Sequence, residues 1–244
     1  MFFSKNKNIP FKEILPGDYL DFHSHLLPGI DDGAKSLDAS LLLIKEMERI
    51  GVKKIITTPH VMKDMYPNTT TLIKEKQKEV EHAIKEAGII MSFHAAAEYM
   101  LDELFHTRLV DKDVLLITGD YLLVEMSTFN PPINLKEQLF DIKVSEYTPI
   151  LAHPERYSFY FDDYSKYADL KDSGFFFQLN LLSVKGFYGE GVQKTAMKLL
   201  EDDMYDFAGS DIHNLHHLEV LERGFVKPVA KKVQPLVYNN SLLY

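Results

Sequence analysis

With 244 residues, 45% of them hydrophobic, the chain is long enough for one well-filled core and is globular rather than disordered or fibrous in composition. Its formal net charge of -9 argues against a broad basic surface for phosphates, so no nucleic-acid partner is expected. The absence of cysteine excludes disulfides, thiolate metal ligands and cysteine nucleophiles.

Residues 1 to 17 read as an N-terminal arm closed by the turn signal Pro16-Gly17, ahead of a single domain over residues 18 to 244. The arm has no long apolar centre, and no run elsewhere approaches the roughly 20 apolar residues that span a bilayer. Neither a secretory signal nor membrane insertion is expected, and the expected location is cytoplasmic. A short strand is expected over Asp18 to His23. Ser36 then caps a helix whose apolar positions Leu37, Leu41, Ile44 and Met47 recur at helical spacing, and Gly51 ends it. Val52 to Thr58 reads as a second, β-branched strand running into Pro59-His60. A helix follows from Thr71 to Ala87, then a third strand from Ile89 to Ala95 with Glu98 just beyond. Leu101 to Leu109 is expected as a short helix, and Tyr121 to Val124 as a fourth strand closing on Glu125. Asn134 and Glu137 have capping-box spacing and open a helix through Leu139, Ile142 and Val144. The fifth strand, Thr148 to Ala152, runs into His153-Pro154-Glu155-Arg156. A helix over Asp163 to Asp172, a sixth strand over Phe175 to Asn180 and a helix over Val192 to Leu200 come next. The seventh strand, Tyr205 to Gly209, delivers Ser210-Asp211-Ile212-His213-Asn214, and the tail reads as one more short helix with an irregular end.

Strands alternating with helices call for a parallel sheet with crossover helices. An open doubly wound sheet also fits that alternation. A distorted seven-stranded, TIM-like (β/α) barrel is favoured, because titratable residues follow nearly every strand, whereas an open sheet gathers its site at one switch point.

In such a barrel all the strand ends meet at one mouth. His23, His25, Asp32, His60, Glu98, Glu125, His153, Asp211 and His213 would share it with Arg156. His23 and His25, two apart, point to one face of an extended chain. Imidazole nitrogens and carboxylate oxygens are the ligand set of zinc, manganese and iron. Singly, each residue has an ordinary explanation, such as a turn histidine at His60 or His153, a helix-start glutamate at Glu98, or an Arg156 paired with Glu155. Jointly they exceed what one ion needs and imply two or three. Bridged ions acidify water and clamp the oxygens of an in-line displacement, while arginine offers a planar fork to two phosphate oxygens. The reading is phosphoester hydrolysis. The other histidines, His82, His94, His106, His216 and His217, are read as structural or surface residues.

The stretches Asp21-Phe22-His23-Ser24-His25, Leu27-Pro28-Gly29-Ile30-Asp31-Asp32-Gly33, Thr58-Pro59-His60, Ala97-Glu98-Tyr99, His153-Pro154-Glu155-Arg156-Tyr157 and Ser210-Asp211-Ile212-His213-Asn214 resemble the polymerase and histidinol phosphatase (PHP) superfamily. Within it, the chain most resembles the bacterial metal-dependent protein-tyrosine phosphatases of capsular and exopolysaccharide biosynthesis, over residues 18 to 215. The resemblance implies a PHP-type barrel with three divalent ions, usually Mn2+, sometimes iron or zinc. It implies one ion on His23, His25, Glu98 and Asp211, a second on Glu98, Glu125 and His153, and a third on Asp32, His60 and His213. Glu98 would bridge, Arg156 would orient the phosphate, and with Asp211 they would form the catalytic group. A metal-bridging hydroxide would attack phosphorus directly, without a phosphoenzyme. The implied substrate is phosphotyrosine, chiefly on a membrane-associated tyrosine autokinase. Relatives often carry a second arginine shortly after the Ser-Asp-x-His-Asn motif, where this chain has His216-His217-Leu218. The alternatives are a small-molecule phosphomonoesterase resembling histidinol phosphatase, or a metal-binding scaffold with little turnover.

Overall fold

The computed structural model describes residues 8–244; residues 1–7 of the expected arm lie outside them. The strand segments are β1 (Leu20–Asp21), β2 (Lys54–Thr57), β3 (His60–Val61), β4 (Ser92–Ala95), β5 (Glu98–Met100), β6 (Tyr121–Glu125), β7 (Thr148–Ala152), β8 (Phe176–Asn180) and β9 (Phe207–Gly209). They correspond to the seven expected strands, two of them interrupted. Thr58-Pro59 separates β2 from β3, where the proline has no N–H for a ladder, and Ala96-Ala97 separates β4 from β5. Every ladder is parallel, in the orders β1-β2-β4 and β3-β5-β6-β7-β8-β9. Asp211 N–H donates to His23 O at 2.7 Å and His25 N–H to Ile212 O at 2.9 Å, which brings the last strand back beside the first. Except across those two interruptions, a helix connects each strand to the next, as parallel pairing requires.

Two apolar clusters hold this arrangement. Leu20, Phe22, Ile56, Leu123, Ile150 and Phe207 form a small cluster from strands around the ring, with Phe22 edge-on to Phe207 at 5.9 Å. The larger cluster lies between strands and helices. Ser36 caps the helix Leu37–Arg49 by accepting from Ala39 N–H, and Leu43, Ile44 and Met47 turn its apolar stripe inward.

Two local expectations need correction. Asn134 makes no cap bond to the helix Leu135–Val144; its Oδ1 instead accepts from Gln138 Nε2 at 3.1 Å, so the side chain pairs one turn along the helix. The tail holds two helices, Leu215–Glu222 and Lys227–Asn239, and its end is ordered by burial. Leu243 enters the small cluster, while the buried Asn240 donates to Leu20 O at 2.9 Å and Ala208 O at 2.7 Å. Residues 8–15 are packed: Ile9 pairs with Phe225 through two backbone hydrogen bonds, and Phe11 lies edge-on to Tyr19 and Phe225.

Candidate metal centre

His23 and His25 sit in the extended continuation of β1, their ring centroids 5.6 Å apart. The loop after them explains the Pro28-Gly29-Ile30-Asp31-Asp32-Gly33 stretch. Gly29 has φ 73°, a left-handed conformation that glycine adopts without penalty. Gly33 runs so close to the returning chain that a Cβ there would meet His25 O at 2.0 Å. This tight fold turns Asp31 back onto His25: its Oδ2 lies 2.8 Å from His25 Nδ1, and its Oδ1 accepts from Gly33 N–H.

Glu98, at the start of β5, is the hub. Its Oε1 is 3.3 Å from His23 Nε2 and 3.0 Å from His153 Nε2. Its Oε2 is 3.5 Å from His25 Nε2 and 3.0 Å from His60 Nδ1. Asp211 Oδ1 lies 3.4 Å from His23 Nε2 and 3.2 Å from His25 Nε2. Glu125, at the end of β6, places Oε1 2.9 Å from His60 Nδ1. Asp32 Oδ1 is 3.4 Å from His60 Nε2 and 3.3 Å from His213 Nε2. All nine ligand-type residues named from the sequence therefore meet in one cleft. His60 stands between two groups: Nδ1 faces Glu98 and Glu125, whereas Nε2 faces Asp32.

The donor atoms fit divalent cations. His23 Nε2, His25 Nε2, His60 Nδ1, Glu98 Oε2 and Glu125 Oε1 are buried without a hydrogen-bond partner. Such atoms are costly unless something else satisfies them. Gln178 Oε1 lies 2.8 Å from His23 Nδ1, and Asp31 Oδ2 is equally close to His25 Nδ1. An acceptor on Nδ1 fixes its proton and leaves the Nε2 lone pair facing inward, the arrangement that orients metal-ligating histidines. Two ligand-type residues, His153 at φ 36° and Asp211 at φ 52°, hold left-handed backbones that non-glycine residues seldom adopt. Burial would raise the Glu98 and Asp211 carboxyls, but the facing imidazoles, His23 first among them, outweigh it and hold both well below the usual range. Burial would lower His60, yet Glu125 and Glu98 push it up to about 10. Without cations this cluster binds protons in their place.

Arg156 closes the mouth. Its Nη1 donates to Asp211 Oδ2 at 3.0 Å, and its guanidinium lies 4.4 Å from the Tyr188 ring centre. Asn180 Nδ2 donates to the same Asp211 oxygen at 2.8 Å and to Tyr188 Oη at 3.2 Å. Sequence reasoning missed Asp31, Gln178, Asn180 and Tyr188 as supports. Asp31 lay in plain view beside Asp32, and Gln178 and Asn180 stood near a strand end, but nothing in the chain marked Tyr188. His217 also needs correction. It lines the cleft, its Nδ1 3.2 Å from Asp211 O, and burial and then His213 hold its ring below the usual histidine range. Leu218 is core, and His216 is exposed.

A parallel (β/α) ring whose strand ends gather histidines and carboxylates beside one arginine defines the class: a hydrolase built around divalent cations. The model of the capsular polysaccharide synthesis family CpsB/CapC matches residues 19–235, and the chain belongs to that family. It is 31% identical over 204 residues to the tyrosine-protein phosphatase CpsB of Streptococcus pneumoniae, covering 80% of this chain and 83% of that one. It is 25% identical over 197 residues to the tyrosine-protein phosphatase YwqE of Bacillus subtilis, covering 80% and 78%. Among solved structures it is similar to one from a study of YwqE and CpsB, described there as unique metal-dependent tyrosine phosphatases. The TM-score is 0.79 at 25% identity, over 92% of this chain and 93% of that one. A lactonase from Listeria monocytogenes, with a TM-score of 0.55 at 12% identity, shares the fold alone.

Proposed function

We propose that this chain is a metal-dependent protein-tyrosine phosphatase. The observation that carries the reading is the convergence of unpartnered, buried imidazole and carboxylate atoms within reach of Arg156. In keeping with the family, His23, His25, Glu98 and Asp211 would hold one ion, Glu98, Glu125 and His153 a second, and Asp32, His60 and His213 a third, with manganese the first candidate. The distances support His23 with His25 and Asp211, and Asp32 with His60 and His213, but gather Glu98 and Glu125 around His60 rather than His153. Such ions supply Lewis acidity and an acidified water. Arg156 binds and orients the phosphate through its fork, and Asp211 and Tyr188 fix that fork in place. A phenolate, pKa about 10, departs with less proton assistance than an alkoxide, which suits a cleft whose described lining holds one arginine and no lysine. The proposed physiological substrate is a membrane-associated tyrosine autokinase of polysaccharide synthesis, in keeping with the family.

Elemental analysis of the purified protein, combined with phosphotyrosyl-peptide and histidinol phosphate hydrolysis before and after chelation, tests this reading. The expected result is two or three ions per chain and a peptide-phosphatase activity that chelation abolishes and Mn2+ restores. Activity indifferent to chelation, or a strong preference for histidinol phosphate, would overturn it.

A further inference from the structure

The strand ends that deliver ligand-type residues also deliver thioethers. Met62 follows His60 by two residues, Met100 follows Glu98 by two and Met126 follows Glu125 by one. Two residues of strand advance the chain about 6.6 Å, so each methionine of the first two pairs lies one step outward along its strand from its ligand-type partner. Met100 is also the register partner of Glu125. Together with Met65 and Phe129 these side chains line the same cavity of about 540 Å³ as Arg156 and His213. Met65 and Phe129 are 68% and 81% exposed at this cavity.

A thioether does nothing for a phosphate dianion. It is a weak acceptor, and its useful contacts are with apolar and aromatic surface, where sulfur against a ring gains about 0.3 to 1.5 kcal/mol. We infer that Met62, Met65, Met100 and Phe129 form an aryl subsite that receives the ring of an aromatic phosphomonoester while Arg156 holds its phosphate. The inference rests on the phosphatase reading and deepens it: the wall sets which esters are chosen. Three flexible thioethers beside Phe129 suit a ring presented by differing peptide sequences, since methionine repacks around irregular partners.

The test compares kcat/KM for phosphotyrosine and for an alkyl ester, phosphoserine, in the metal-loaded enzyme. Met65→Gln and Met100→Gln keep side-chain length but replace the sulfur with a polar amide, and Met100→Leu keeps the apolar character. The double glutamine variant is expected to lose about tenfold on phosphotyrosine, the scale of an apolar pocket contact, with little change on phosphoserine. Met100→Leu is expected to retain the wild-type ratio, and unchanged melting temperatures would show that the variants fold. Equal losses on both esters, or a ratio that does not fall, would overturn the aryl subsite while leaving the phosphatase reading intact. A wild-type enzyme that cleaves no phosphotyrosine would overturn both.

Discussion

Asp211 is shared between two tasks: its Oδ1 faces His23 and His25, while its Oδ2 accepts from Arg156 at 3.0 Å. One carboxylate thus ties the cation cluster to the group that grips phosphate. Because its backbone is left-handed and Asn180 holds Oδ2 from a further side, the carboxylate has little freedom to serve one task at the other's expense.

Removing the fork should show in turnover. Arg156→Ala is expected to lower kcat/KM for a phosphotyrosyl peptide by about 2 to 4 kcal/mol, with metal content unchanged. Arg156→Lys should recover only part of that, since an ammonium cannot bond two oxygens in a plane or stack as well on Tyr188. A kinetic effect under about tenfold for the alanine variant would remove Arg156 from the site.

The supports of the histidines should matter almost as much as the histidines. Gln178→Leu removes the acceptor on His23 Nδ1, and loss of such a partner typically costs roughly 10- to 100-fold in metal affinity. Titration of the metal-free variant with Mn2+ against the wild type measures it; equal affinities would show that ring orientation is fixed by packing alone.

Gly33→Ala should be disproportionately damaging for an added methyl. Its Cβ would meet His25 O at 2.0 Å and His25 Cβ at 2.5 Å, contacts with backbone and a rigid stem that cannot swing away. The expected outcome is loss of bound metal and a lower melting temperature, read by elemental analysis and calorimetry. A variant with full metal content would mean that the loop moves aside.

The pH dependence of the metal-free protein follows from the raised histidines. His60 is held at about 10, against 6.5 for an ordinary histidine, and His25 is also held well above that value by Asp31 despite burial. A folded-state pKa above the unfolded one contributes stability that is complete below about 6.5 and fades as pH rises toward about 10. The metal-free chain should therefore lose stability between pH 7 and 10 in denaturant titrations. Cations compete with the same protons, so binding at pH 7 should release protons, seen as a buffer-dependent heat in calorimetry. A flat stability profile with no proton release would contradict the assignment of His60 and His25 as protonated partners.

Much of this molecule was legible in its residues. Ser36 and Gly51 bracketed a helix, β-branched runs marked strands, and the recurrence of histidine or carboxylate after strand after strand favoured a barrel in which those ends share one mouth over an open sheet. Local chemistry sufficed there, since caps, periodicity and spacing are properties of neighbouring residues. What the chain could not disclose depends on residues far apart in sequence. Tyr188 under Arg156, Gln178 behind His23, His217 in the cleft and Asn240 sealing β1 to β9 are ordinary side chains whose roles exist only through their partners. The division of His60 between two carboxylate groups was likewise decided in three dimensions, because the direction of a ring nitrogen is set by packing and backbone conformation, which residue spacing does not encode.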